Sequence, residues 1–265
     1  MTEVAFIVLD IDGGEMLRDC LDSIHAQTVA PHEVVVVDNG SRVPLALADA
    51  RVIRSEVNLG FAAGVNEAWR QTTAPFVALV NNDVVLDRDW LETLLAHLDD
   101  KTAAAQTVIR RDETTIDGAG IDIRDGTIKQ LAHGLPLDAP LAPAWGVSAT
   151  AALYRRAAAG DRPFDATLFA YYEDVDLCAR LHAAGWRTIV VPEVKATHRG
   201  SQSAPLLGRD ALRLRTRNRY LVARRHPGVG RIPALLWEDV KLLLRGRSSL
   251  RGMIEGALGT MNDEG

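Results

Sequence analysis

An α/β fold built on a Rossmann-like, mostly parallel sheet with flanking helices is predicted by three observations. Continuous apolar runs of strand length recur at residues 4–9, 34–37 and 76–80, as expected of strands buried on both faces. A helical stripe, Leu17, Cys20, Leu21 and Ile24, separates the first two. Each run ends on polar residues: Asp10, then Asp38-Asn39-Gly40-Ser41, then Asn81-Asn82-Asp83. Ligands of open α/β sheets bind beyond the carboxyl ends of the strands, so these three ends are where a site is expected.

The elements follow in order. The run at 4–9 has no basic stretch ahead of it and stops at Asp10 and Asp12, which reads as a strand rather than a signal peptide. After Pro31, Val34-Val35-Val36-Val37 completes a strand, helix, strand crossover unit. Val52-Ile53 is a short third strand, residues 58–71 a glycine-led helix, and 76–80 a fourth strand. Asp87 and Asp89 mark the first turn of a helix carrying Trp90, Leu91, Leu94, Leu95 and Leu98. From 103 to 141 short β-type runs (106–109, 127–131) alternate with Gly118, Gly120, Gly126 and Gly134, predicting extended excursions or a hairpin rather than more crossovers. Gly118-Ala119-Gly120 lacks the third glycine and following helix of a dinucleotide fingerprint. Residues 145–154 return to the sheet, an acid-led helix runs from Glu173 to about Ala184, and Thr188 opens a last strand that stops before Pro192.

At 265 residues the chain can bury roughly 75% of its unfolded surface, so it needs no disulfide or metal staple. Its composition, 47% hydrophobic and 25% charged, is that of a globular protein. Cys20 and Cys178 sit at apolar helical spacing and read as core packing in a reducing compartment. No run of about 18 apolar residues occurs, which excludes a spanning helix. A cytoplasmic location is expected, at the inner face of the membrane if the tail meets lipid. Residues 206–251 hold 12 Lys+Arg against 3 Asp+Glu, a surplus of 12 − 3 = +9 in a chain of net charge −5, which leaves −5 − 9 = −14 elsewhere. The expected organisation is a catalytic domain over 1–205 and a basic helical extension, 206–265, packed on it. Arginines without interleaved aromatics do not make a nucleic-acid platform, whereas a phosphate-bearing ligand or an anionic membrane suits them. Leu242-Leu243-Leu244 and residues 254–258 add apolar patches suited to a peripheral membrane surface or a homodimer contact.

The chemistry concentrates in Tyr171-Tyr172-Glu173-Asp174-Val175-Asp176-Leu177, with three carboxylates in one helical turn. The helix dipole favours each by about 0.3–1 kcal/mol, but their mutual repulsion offsets part of this, so such a cluster is a candidate base. An acidic turn on a surface helix is the ordinary alternative. Asp83, leaving a buried strand, could meet a divalent cation bridging to a diphosphate; hard oxygen ligands suit Mg²⁺ or Mn²⁺. His198, after the last strand, could add a nitrogen ligand.

In this order, Val-Val-Val-Val-Asp-Asn-Gly-Ser, Asn58-Leu59-Gly60-Phe61-Ala62-Ala63-Gly64-Val65-Asn66, Asn81-Asn82-Asp83, Glu173-Asp174-Val175-Asp176-Leu177 and His198 resemble family 2 glycosyltransferases of the GT-A fold, above all the rhamnosyltransferase-type enzymes. The likeness covers residues 4 to about 226. It implies that Asp38 accepts the imide N–H of uracil or thymine, that Leu9, Asp10, Asn58, Gly60, Asn66 and Asn82 frame the donor, and that Asp83 and His198 hold the metal. It implies that Asp174 is the base, with Glu173 beside it or holding an acceptor hydroxyl, and Glu173 and Asp176 raising its proton affinity. Trp145, Ser148, Tyr172 and Arg217 stand where the acceptor or the diphosphate is met.

The chain departs from the family pattern at Leu9-Asp10-Ile11-Asp12, in place of a small polar residue, an aromatic and an Asn. It has Arg42-Val43-Pro44 where a further Asp is frequent, and Asn81 as the first residue of the metal motif. The implied activity is metal-dependent inverting transfer from a dTDP- or UDP-sugar, dTDP-rhamnose first, to an unidentified hydroxyl acceptor. Two other functions remain open. A sugar-phosphate nucleotidyltransferase would carry a basic glycine-rich loop where Asp12-Gly13-Gly14-Glu15 stands. A non-catalytic nucleotide-sugar-binding scaffold would keep the fold without the chemistry.

Overall fold

The computed structural model describes residues 3–200 and 203–259, without the side chains of 203–209; Met1, Thr2, Ser201, Gln202 and residues 260–265 lie outside the described residues. Strands β1 (Val4–Asp10), β2 (Glu33–Asn39), β3 (Arg51–Ser55) and β4 (Phe76–Asn81) form the parallel half of one sheet, ordered β3-β2-β1-β4. Side chains alternate across it: Ile7, Val35 and Val37 meet Ala62, Val65 and Trp69 of α2 (Gly60–Arg70), while Phe6, Val8, Val34 and Val36 meet α1 (Glu15–His25) and α3 (Trp90–Ala96) on the other face. Burial on both faces is why these strands read as unbroken apolar runs.

Beyond β4 the sheet continues through β10 (Ala151–Arg155), β6 (Thr102–Arg110), β11 (Arg187–His198) and β5 (Val84–Leu86), with β7 (Ile116–Gly118) added to β6. β10 is antiparallel to both its neighbours, and β11 runs parallel to β6. A small ribbon, β8 (Ile121–Asp122) with β9 (Lys129–Gln130), stands apart from it.

Three sequence expectations are corrected here. Residues 102–110 are a nine-residue sheet strand, not an excursion; Ala103-Ala104-Ala105 disguises it because alanine carries little β preference. The last strand does not stop before Pro192 but runs to His198, since the register with β6 shifts between Val191 and Val194 and the missing N–H of proline is tolerated at such a bulge. The helix expected from 58 begins at Gly60, because the amide of Leu59 is taken by Asn39 Oδ1 at 2.9 Å and that of Gly60 by Asn58 Oδ1 at 2.8 Å.

Cys20 and Cys178 are buried and unpaired, and burial pushes the Cys178 thiol up to about 12. After α4 (Arg156–Ala159) and α5 (Glu173–Ala183), the chain ends in α6 (Ser203–Arg225), α7 (Ile232–Leu243) and α8 (Leu250–Leu258). α8 lies tightly on α6: a Cβ at Gly252 or Gly256 would stand 2.5 Å or 2.6 Å from the carbonyl oxygen of Arg213 or Arg217. Asp239 of α7 is fully buried, taking hydrogen bonds from Arg219, from Tyr220 Oη at 2.6 Å and from Ser248 Oγ at 2.7 Å.

Candidate active site

The carboxyl ends of β1, β2 and β4 open into a cleft of about 860 Å³, within the size range of small-molecule sites. Leu9, Asp10, Asn58, Gly60 and Asn82 line it. Asp10 is buried and accepts from Asn82 Nδ2 and the Gly13 amide, both at 2.6 Å. Its burial raises the carboxyl above the usual range, and those two hydrogen bonds oppose the rise.

Opposite lies the acidic head of α5. Asp174 reaches the cleft, its Oδ1 accepting the Val175 amide at 2.8 Å and its Oδ2 the Ala149 amide at 3.2 Å. Glu173 is buried beside it, with Oε2 unpartnered. Burial, and then the Asp174 charge, raise Glu173 to about 8; burial also raises Asp174, against the pull of its two amides. Glu173, with Oε2 unpartnered, is the carboxyl of the pair whose protonated form burial favours more strongly. Asp176, expected to add repulsion, instead turns away to Arg180 at 2.9 Å and His226 at 2.7 Å.

The loop that delivers this pair is strained. Phe169, Tyr171 and Tyr172 have φ of 62°, 73° and 70°, a region costly to residues with a Cβ, at about 1–3 kcal/mol each. Asn218 of α6, fully buried, shares its Nδ2 among the carbonyls of Leu168 (2.7 Å), Ala170 (2.9 Å) and Tyr171 (2.9 Å). The Ala62 amide at the head of α2 donates to Phe169 O at 3.0 Å, and Gly60 (φ 77°) leaves room for that carbonyl, which would lie 2.6 Å from a Cβ there.

The third wall comes from the edge strand β5 and its neighbour β11. β5 and β11 pair antiparallel with His198 opposite Val84, which brings His198 alongside Asp83. The His198 Nε2 stands 3.2 Å from Asp83 Oδ2 and its Nδ1 2.8 Å from Asp117 Oδ2. Burial alone would lower the imidazole, but the two carboxylates raise it to about 9. Asp83 Oδ1 is buried without a partner, an acceptor left open for a cation.

Of the remaining expected residues, Ser148 and Tyr172 line the cleft and four do not. Asp38 is fully buried and engaged by the amides of Ser41 (3.1 Å) and Leu45 (3.0 Å) and by Arg54 (2.6 Å), and it does not line the cleft. Asn66 clamps the backbone of Phe164 through both its amide atoms, at 2.7 Å and 3.1 Å. Trp145 stacks edge-on with His182, ring centroids 5.0 Å apart. Arg217 is buried and donates to Thr167 O at 3.0 Å; Arg215, two residues before it, lines the cleft instead, over the Tyr171 ring at 4.6 Å. Asp117, Arg111, His133 and Arg199 also line it and were not anticipated.

A family model described as glycosyl transferase family 2 matches residues 12–162, more than half of the chain. N-acetylglucosaminyl-diphospho-decaprenol L-rhamnosyltransferase of Mycobacterium tuberculosis is 28% identical over 292 residues, covering 95% of this chain and 92% of that protein. Pre-mycofactocin glycosyltransferase of the same organism is 34% identical over 176 residues, covering 62% of this chain; the chain spans only 37% of that relative's length. Among solved structures, the mannosyltransferase PcManGT of Pyrobaculum calidifontis, in complex with GDP-Man and Mn²⁺, matches with a TM-score of 0.59 at 18% identity, over 97% of this chain and 79% of that one. S. aureus TarS 1-349 in complex with UDP matches at 0.55 and 21%, over 81% and 64%. Sequence pattern, sheet topology and family match agree: the chain belongs to glycosyl transferase family 2 and has the GT-A fold.

Proposed function

We propose that this enzyme transfers a sugar from a dTDP- or UDP-sugar, with dTDP-rhamnose the leading candidate, to an acceptor hydroxyl with inversion, using Mg²⁺ or Mn²⁺ and Asp174 as general base. The observation that carries the reading is the single cleft in which the Glu173–Asp174 pair and the Asp83–His198 pair both stand. The near-full-length likeness to an L-rhamnosyltransferase supports the sugar, and the nucleotides bound by the structural neighbours support the donor class.

Asp83 and His198 are the residues that would hold the cation. The open Oδ1 of Asp83 and the oxygen and nitrogen donors fit a hard divalent ion. When bound, the ion neutralises charge on the departing diphosphate. Asp117 fixes the His198 ring through Nδ1 and so directs Nε2 towards Asp83.

Asp174 takes the acceptor proton while the acceptor oxygen bonds the anomeric carbon and the bond from that carbon to the diphosphate breaks, its electron pair leaving with the nucleotide. A single displacement inverts that carbon. Glu173, holding its own proton near neutrality, leaves the negative charge on Asp174 and can donate to an acceptor oxygen. Arg215 and Arg199 bring positive charge to the diphosphate side. In this reading residues 1–205 carry the chemistry and α6 of the 206–265 extension contributes Arg215. The family match argues against nucleotidyl transfer as an alternative.

Thermal stabilisation by UDP, dTDP, GDP and their sugars, with Mn²⁺, Mg²⁺ or EDTA, tests the reading. A metal-dependent shift for dTDP or UDP is expected; a response to GDP alone would replace the donor, and none at all would overturn the proposal.

A further inference from the structure

Ten large apolar side chains are exposed among the described residues, and seven of them belong to the last two helices or to the residue that caps α7. Leu236, Trp237 and Val240 of α7 form one row with Leu244 just past its end, spanning an arc of about 100° at 3.6 residues per turn. Leu250, Ile254 and Leu258 form a second on α8, within about 80°. Each helix turns other residues inward: Leu235 and Asp239 of α7, and Gly252, Met253, Glu255 and Gly256 of α8, the last two glycine positions lying against α6.

Charge is sorted in the same way. Between residues 232 and 259 the exposed charged residues are Lys241, Arg245, Arg247 and Arg251. The three acids of this stretch face inward onto arginines: Glu238 and Asp239 onto Arg219, Glu255 onto Arg213 and Arg251. Lys241 lies over the Trp237 ring at 4.7 Å, joining the cationic rim to the apolar row.

We propose that α7 and α8 dock this enzyme on the surface of an anionic lipid bilayer, lying in the headgroup plane with Trp237 and Leu244 inserted. Apolar rows edged by cations, with no exposed carboxylate between them among the described residues, match the two attractions that hold an interfacial helix. A second copy of the chain fits this face poorly, because a two-fold contact would set the same cations against one another. No helix among the described residues is long and apolar enough to cross a membrane, so the contact is with one surface. The inference concerns binding alone and stands apart from the donor and the reaction.

Flotation of the full chain with phosphatidylcholine vesicles, with and without phosphatidylglycerol, tests it. Binding is expected only with the anionic lipid and should weaken as salt rises. Arg245→Gln with Arg247→Gln should lower the partition coefficient about fivefold per arginine. Trp237→Ser with Leu244→Ser should abolish binding while leaving the melting temperature and the nucleotide response unchanged, since Trp237 is 66% and Leu244 87% exposed. Absence of wild-type flotation on anionic vesicles would overturn the proposal. So would flotation untouched by both double variants, or a vesicle-indifferent dimer that the Trp237→Ser, Leu244→Ser chain fails to form.

Discussion

Glu173→Gln should remove a pH-dependent loss of stability. Burial and the Asp174 charge raise Glu173 from 4.5 to about 8, so the folded chain holds this proton more tightly than the unfolded chain does. Its contribution is fully present below pH 4.5 and is lost as the pH rises through about 8. The shift is 8 − 4.5 = 3.5 units. At about 1.4 kcal/mol per unit the ceiling is about 5 kcal/mol. Because Asp174 titrates with it, about half of that is the working expectation. Glutamine has the shape of the protonated acid and never takes the charge. Melting curves between about pH 5 and 9 should therefore show the wild type falling relative to the variant by roughly 5–10 °C, at about 2–4 °C per kcal/mol for a chain of this size. Curves that stay parallel over that range would mean that Glu173 is charged throughout, and the division of roles between the two carboxyls would be wrong.

Asp174→Asn should lower kcat by about 10²–10⁴-fold in a transfer assay while the thermal response to donor nucleotide persists. Asp117→Asn should weaken the hold on the cation by about 10–100-fold, read as the Mn²⁺ concentration needed for half of the nucleotide-dependent melting shift, because His198 loses the carboxylate that orients its ring. Asn218→Ala should cost about 1–3 kcal/mol in denaturant titrations by leaving buried carbonyls unpaired, and should slow transfer through the displaced Tyr171–Tyr172 segment.

The parallel half of the sheet was legible because β1, β2 and β4 are covered on both faces and so appear as uninterrupted apolar runs ending in polar residues. The acidic head of α5 was legible as a charge anomaly. β5 was not, since three residues carry no periodicity, yet its pairing with β11 is what sets Asp83 beside His198. Asp117 arrives from β7, in a stretch with no local signal, and is recognisable only by the ring it meets. Arg215 and Arg217 differ by about 200° around a helix, so choosing between them needs the docked face of α6, which the sequence does not display. Asp38 and Asn66 were expected at the donor from the resemblance, but Arg54 and the Phe164 backbone, distant in sequence, decide where their polar atoms point.

The grip of Asn218 on the segment before α5 bears on how such enzymes can be recombined. A chimera joined at residue 205, where the basic composition begins, would inherit the acidic head of one parent and the amide that shapes it from the other. Three main-chain oxygens would then depend on a donor supplied by a foreign helix. A junction placed after α6, in the turn at His226–Gly230, keeps that lock and its key in one inherited piece, and grafts cut there should retain their turnover where grafts cut at 205 lose it.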